Sequence, residues 1–207
     1  MATMHYLLFG ILSVVILLLG SFGNCLVAWD VEENQFGCST CGTTSLEFRL
    51  ENPVQQAIQV QSVDLRQRIV DIAVQEIGVQ EATGHNDGPR VEEYLVYTGL
   101  GKGHAWCAAF VSWCYSQAGL TAPRNAWSPA LFPMVRRYKK EQVEQDAVRE
   151  ADLFAIYNPR LGRINHVGIA RKRGGNWLLT VEGNVNNRVL SKRRHLATIH
   201  AFSNWLD

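Results

Sequence analysis

The chain has 207 residues, of which 47% are hydrophobic, a size and composition typical of one globular domain with a short extension rather than of a disordered chain. Its 20 basic and 19 acidic residues leave a formal net charge of +1, which excludes nucleic-acid recognition driven by overall positive charge. No internal repeat is visible, which excludes a solenoid.

The chain begins with an apolar segment. Residues 7–19 are uninterrupted by charge and have the length of a signal-peptide core, and Ser21 and Gly23 supply a small-x-small cleavage pattern. The pattern favours a cleaved signal peptide within residues 1–28; an uncleaved membrane anchor and a lipoprotein attached through Cys25 remain open. Each route predicts an exported protein that is periplasmic, bound to the cell envelope or secreted.

Residues 29–61 are polar and weakly patterned, which predicts a linker or N-terminal extension. This segment contains Cys38 and Cys41, which with Cys25, Cys107 and Cys114 make five cysteines. A zinc site is disfavoured because no second C-x-x-C pair or nearby histidine pair completes it. In an exported chain, a local disulfide and two free thiols remain the alternatives for Cys38 and Cys41.

The domain is predicted to span residues 62–207 and to begin with helices. Ser62 is the expected N-cap of a helix that Gly78 ends, because apolar residues between them recur at helical spacing. Further helices are expected at 90–97, at 106–118 after the glycine-rich loop 99–104, and from Ser128 to about Tyr138.

The helix at 106–118 begins with the most informative residue, Cys107. In the first turn, unpaired backbone N–H groups and the helix dipole favour a thiolate, which lowers the pKa of the thiol. The alternative is that Cys107 is a small buried residue. Cys114 lies two turns further along the same helix and is expected to pack in the core.

From residue 152 the apolar pattern alternates, which predicts strands near 153–157, 164–172, 177–182, 188–194 and 198–202. His166 lies on the second of these strands, and the turn 173–176 makes a hairpin with the third. On the third strand Glu182 and Asn184 are two residues apart and are expected to share the face that meets the imidazole. Helices followed by an antiparallel sheet predict an α+β fold.

Two basic runs, 171–173 and 192–194, lie near the ends of these strands. We expect them to be solvated; contact with an anionic polymer is the alternative.

These motifs resemble the CHAP group of papain-like cysteine amidohydrolases and peptidases, which are related to the NlpC/P60 enzymes. The resemblance spans about residues 62–205 and rests on four runs: 86–95, 106–111, 166–168 and 182–184. It implies a papain-like α+β fold in which the nucleophile helix packs on the C-terminal antiparallel sheet. It also implies that Cys107 is the nucleophile and His166 the general base and acid, with Glu182 and Asn184 orienting the histidine. Of these two we favour Glu182 as the residue that contacts the imidazole.

The resemblance and the apolar N-terminal segment together predict an exported cysteine hydrolase that cuts amide bonds in peptidoglycan. The bond cut, N-acetylmuramoyl-L-alanine or one within the stem or cross-bridge peptide, stays open. No metal or cofactor is required, and we expect a monomer that binds no nucleic acid. Asn86, Tyr94 and Trp106 are the candidate substrate-binding residues, and Trp127 is a further candidate for shaping the cleft. The alternative function is an exported, non-catalytic module that binds wall peptides or a partner.

Overall fold

The computed structural model describes residues 53–207. The predicted export segment, Cys38 and Cys41 therefore lie outside the described residues. No helix within 53–207 is long and apolar enough to cross a membrane. The helices are α1 (Pro53–Gln75), α2 (Pro89–Tyr97), α3 (Cys107–Gln117) and α4 (Lys140–Glu144), and the strands are β1 (Leu153–Asn158), β2 (Arg163–Gly174), β3 (Trp177–Val185), β4 (Arg188–His195) and β5 (Ala201–Ser203).

Helix α1 begins earlier than the sequence analysis predicts. Ser62 is not its N-cap, because the helix extends back to Pro53, and the hydroxyl of Ser62 donates to the carbonyl of Gln59 within the helix (2.9 Å). The added turns contain good helix formers and no glycine, and proline is well tolerated in the first turn. Most of this part of α1 is exposed, so the apolar periodicity used for the prediction does not extend over it.

The prediction of one helix from Ser128 to Tyr138 is wrong. The segment forms two short 3₁₀ turns, Ser128–Leu131 and Met134–Arg136, separated at Phe132 and Pro133. Proline has no N–H to donate to the preceding turn and its ring collides with the carbonyl there, so the helix stops before Pro133.

The five strands form one antiparallel sheet in the order β4-β3-β2-β1-β5. The predicted β2–β3 hairpin is confirmed, and it turns at Gly175, whose φ of 56° suits glycine. Helix α3 packs on β2 and β3, and nearly all of its residues are buried. The predicted α+β fold, with the helix that starts at Cys107 packed on a C-terminal antiparallel sheet, is therefore confirmed.

A buried ion-pair cluster joins α1 to the first strand and to the C-terminus. Arg66 on α1 is 4% exposed and donates to the fully buried Asp152 (2.9 Å), which immediately precedes β1. The same guanidinium also donates to Asn204 (3.2 Å) and Asp207 (3.0 Å). Breaking a buried pair by removing one partner typically costs about 3–5 kcal/mol, so this cluster fixes α1 against the sheet.

Two glycines let the sheet pack tightly where the candidate site forms. A Cβ at Gly183 of β3 would lie 2.8 Å from atoms of Phe110 and Trp106 at the start of α3. A Cβ at Gly168 of β2 would lie 2.7 Å from the ring of Phe154 and 2.8 Å from Cγ of Glu182. Both approaches are too close for any side chain, so these positions require glycine for packing.

We predict that Gly183→Ala lowers the free energy of unfolding by about 1–3 kcal/mol, the usual cost of overpacking a core. The added methyl group must displace the fully buried side chains of Phe110 and Trp106. Urea denaturation of the full chain measures the change. Gly174→Ala on β2 is the matched control, since a Cβ there meets nothing within 4 Å. Equal stability of the two variants would contradict the packing argument.

Candidate active site

Cys107 is the first residue of α3, and the chain enters the helix through Trp106 at the N-cap. The carbonyl of Trp106 accepts the N–H of Phe110 (2.8 Å), while the first N–H groups of the helix have no partner within it. Cys107 as a whole residue is 5% exposed. Its Sγ lies 3.4 Å from the hydroxyl of Ser128 and also contacts the imidazole of His166 and the backbone N–H of Val167.

The imidazole of His166 connects the thiol to a carboxylate. Its Nε2 lies 2.8 Å from Oε2 of Glu182, and its side chain is 15% exposed. An ionised carboxylate only accepts hydrogen bonds, so Nε2 carries a proton and donates it to Glu182. Nδ1 is thus the nitrogen left to face Cys107. The structure therefore brings Cys107, His166 and Glu182 together, with the imidazole hydrogen-bonded to Glu182 and near enough to the thiol to favour its ionisation.

The carboxylate of Glu182 is fully buried and accepts hydrogen bonds from three side chains. Arg194 on β4 donates through Nε to Oε1 (2.6 Å) and through Nη2 to Oε2 (2.5 Å). The hydroxyl of Thr180 donates to Oε1 (2.6 Å). This bidentate arrangement leaves the carboxylate no freedom to turn away from His166.

The prediction that both basic runs are solvated strand ends is wrong for one arginine in each run. In the run 192–194 this residue is Arg194. Its side chain is 18% exposed, and its guanidinium carbon lies 5.4 Å from the centre of the Phe154 ring. In the other run, the side chain of Arg173 is 13% exposed, pairs with Asp146 (2.7 Å) and donates to the carbonyl of Val143 (2.8 Å). Sequence reasoning missed these roles because a charge run does not reveal which of its members turns towards a buried acid.

The pKa values of the three groups follow from these contacts. Burial raises the pKa of Cys107, but the hydrogen bond and charge of His166, with help from Ser128 and Val167, outweigh burial and hold it below its ordinary value. Burial lowers the pKa of His166, but the contacts with Cys107 and Glu182 outweigh burial and raise it to about 9. Despite burial, the partners of Glu182 lower its pKa to about 2. The lowered pKa of Cys107 and the raised pKa of His166 both favour a thiolate–imidazolium pair over a neutral thiol and imidazole.

Asn184 does not join this group. The register between β3 and β4 shifts after Glu182, and Asn184 has a φ of 59°. The regular alternation of side chains along β3 is therefore broken, and Asn184 does not share the face of Glu182 that meets the imidazole. The amide of Asn184 instead donates to Oδ1 of Asn86 (3.1 Å). Asparagine tolerates the left-handed conformation, which explains its presence at this position.

Two of the predicted substrate-binding residues are not at a surface. Tyr94 and Trp106 are fully buried, and their ring centres are 5.7 Å apart. Trp106 donates through Nε1 to Glu81 (2.8 Å), and Tyr94 donates to Glu76 (2.5 Å). The other oxygen of Glu81 accepts the backbone N–H of Asn86 (2.9 Å). These residues thus support the entry to α3 and the neighbouring loop instead of meeting a ligand.

A cleft of about 510 Å³ opens beside the thiol. Its lining includes Cys107, Arg124, Trp127, Ser128, Arg163 and Asn165. Trp127 is 57% exposed, so the structure places it, and not Tyr94 or Trp106, where a ligand could contact an aromatic ring. Asn86 is not among the lining residues.

The second described thiol has the opposite environment. Cys114 is fully buried, as predicted, and burial and the nearby carboxylate of Glu76 raise its pKa well above the ordinary value. The two thiols of α3 therefore differ in both access and ionisation.

Comparison with known proteins finds no matching family model and no matching curated protein. Solved structures do match. The P60 domain of an antigen from M. avium paratuberculosis is 16% identical, with a TM-score of 0.46 over 72% of this chain and 99% of that chain. The peptidoglycan hydrolase RipB from Mycobacterium tuberculosis is 15% identical, with a TM-score of 0.47 over 76% of this chain and 74% of that chain. An NlpC/P60 family protein from Bacillus cereus is 14% identical, with a TM-score of 0.44 over 69% of this chain and 40% of that chain.

We predict that iodoacetamide at pH 7 alkylates Cys107 much faster than Cys114, because only Cys107 is held as a thiolate beside a cleft. Mass spectrometry of labelled peptides from the full chain separates the two sites. In His166→Ala, only the weaker contacts with Ser128 and Val167 oppose burial, so the pH at which Cys107 reacts at half its maximal rate should rise. Equal, slow labelling of both thiols, or no shift in the variant, would contradict the ion pair.

Proposed function

We propose that the protein is an exported cysteine hydrolase that cleaves amide bonds in the peptide part of bacterial cell-wall peptidoglycan. The observation that carries the proposal is the grouping of Cys107, at the edge of a cleft, with His166, whose imidazole is hydrogen-bonded to the buried Glu182. A depressed thiol pKa beside a raised imidazole pKa suits a nucleophile and the acid that protonates its leaving group.

The proposed reaction has two stages. The thiolate of Cys107 attacks an amide carbonyl, and the imidazolium of His166 gives its Nδ1 proton to the departing nitrogen, which leaves as an amine. His166, now neutral, takes a proton from water as that water attacks the thioester. The carboxylic acid product then leaves, and the Cys107 thiolate and the His166 imidazolium are restored. The backbone N–H of Cys107 at the helix start is the proposed donor to the oxyanion.

In this mechanism Glu182 acts through His166. Its carboxylate holds the Nε2 proton, fixes the ring with Nδ1 towards the thiol, and stabilises the imidazolium. Arg194 is proposed as a positioning residue, because it fixes both oxygens of that carboxylate. Ser128 is proposed to stabilise the thiolate through its hydroxyl.

The choice of peptidoglycan rests on the motif resemblance to CHAP and NlpC/P60 enzymes and on the apolar segment at residues 7–19. We propose that this segment exports the chain to the compartment that holds the wall. Assignment to the CHAP group in particular rests on the motifs alone. Whether the enzyme is an amidase or an endopeptidase depends on which bond the cleft presents to Cys107, and the products distinguish the two.

We predict that the full chain releases new fragments from purified peptidoglycan and that Cys107→Ala abolishes this release. We expect the release to be lost because no other described thiol lies in the cleft to replace Cys107. Mass spectrometry identifies the products: intact stem peptides indicate an amidase, and shorter peptides indicate an endopeptidase. Cys114→Ala, the matched control on the same helix, should retain activity. Equal products from the native chain and Cys107→Ala would overturn the proposed hydrolysis and favour the binding-module alternative.

A second prediction concerns pH. The value of kcat/KM should fall above about pH 9, because deprotonation of His166 removes the imidazolium, and should fall at low pH as the thiolate of Cys107 is protonated. In Glu182→Gln the imidazolium loses its anionic partner, so the pKa of His166 drops. The alkaline limb of the plot of kcat/KM against pH then moves to lower pH. Glu182→Gln/Arg194→Gln, which leaves no uncompensated buried charge, should shift the limb in the same direction. An alkaline limb unmoved in both variants would contradict the role given to Glu182.

A further inference from the structure

Two arginines give the cleft beside Cys107 a distinct chemistry. Arg124 and Arg163 both line it, and no aspartate or glutamate is among its lining residues within 53–207. Glu182, the acid that contacts His166, is fully buried and is paired with Arg194 and His166. Two guanidinium charges therefore face the cleft without a lining carboxylate to offset them, which gives the cleft a positive potential.

Tyr97 holds the guanidinium of Arg124 in place on one side. Its Nε donates to the carbonyl of Tyr97 (2.8 Å), and its guanidinium carbon lies 4.8 Å from the centre of the Tyr97 ring. None of the residues that the structure describes accepts a hydrogen bond from its two Nη groups. These donors form the planar edge with which arginine binds a carboxylate in bidentate fashion.

Arg163 stands at the start of β2, three residues before His166, and is exposed. Within the described part of the chain its guanidinium has no acidic partner. Because β2 also positions the imidazole, a group held by Arg163 is kept in a fixed relation to the reacting atoms. Asn165, between them, also lines the cleft.

We infer that the cleft selects peptides that carry a free carboxylate close to the scissile amide, and that Arg124 and Arg163 bind this carboxylate. This inference rests on the proposed function, since it names the substrate class of the same site. Exposed Trp127 provides an adjacent apolar surface for the rest of the ligand. A neutral peptide of the same length would leave both guanidinium groups unpaired and should be a poor ligand.

The test uses soluble muropeptides in two forms, untreated and with their carboxylates converted to carboxamides. Calorimetry on the full-length Cys107→Ala protein measures binding without turnover. The untreated form should bind about 10- to 100-fold more tightly, which is the range expected for hydrogen bonds between charged groups. Arg124→Gln and Arg163→Gln should each remove about tenfold or more of that preference.

The matched control is Arg160→Gln, which removes the same charge from an exposed arginine that does not line the cleft. It should leave the preference intact. Melting temperatures of all variants verify that Arg124→Gln has not unfolded the contact with Tyr97. In the active enzyme, both cleft substitutions should raise KM for the untreated form and leave kcat nearly unchanged.

The outcomes separate this inference from the proposed function. Equal binding of the two peptide forms, or a preference that Arg124→Gln and Arg163→Gln do not change, overturns the carboxylate site even if the wild type cuts both forms. An arginine-dependent preference in a protein that cuts neither form supports the site and overturns the proposed hydrolysis. Absence of both binding and cleavage overturns both.

Discussion

A buried carboxylate, that of Glu182, is the constraint on which the candidate site depends. Removing an anion from water is costly unless it is paired and hydrogen-bonded, and here Arg194, Thr180 and His166 together meet that need. Because Arg194 and Thr180 hold both oxygens, His166 has one available orientation, with Nε2 towards the acid and Nδ1 towards Cys107. The neighbouring imidazole then lowers the pKa of the thiol. The proposed reactivity of Cys107 thus depends on an arginine that lies on the strand furthest from β5 in the sheet.

The fold supplies this geometry by close packing. Gly168 and Gly183 remove the side chains that would separate Phe154 from Glu182 and Trp106 from β3. Arg66 fixes α1 to Asp152 at the start of β1. Cys107, the proposed nucleophile, therefore lies on a helix whose position is determined by the sheet, and His166 and Glu182 lie on neighbouring strands of that sheet. Such a site tolerates little change in either layer.

The sequence predicts much of this arrangement. Strand alternation, the hairpin turn at Gly175 and the order of helices before strands are local patterns, and they predict the α+β fold. The pairing of Cys107, His166 and Glu182 is anticipated by motif and order. Arg194 and Ser128 are not, because their roles depend on contacts distant in sequence. Asn184 fails as a partner of His166 because a register shift changes its direction, and Tyr94 and Trp106 fail as cleft residues because aromatic side chains near a cysteine pack in a core as readily as they bind a ligand.

The central claim is that Cys107 and His166 form an ion pair, and the titration of the His166 ring tests it most directly. Nuclear magnetic resonance of the selectively labelled imidazole should give a midpoint near pH 9 in the native protein. In Cys107→Ala the thiolate is absent, so the midpoint should fall. A midpoint at or below the ordinary histidine value of about 6.5, unchanged by Cys107→Ala, would contradict the account.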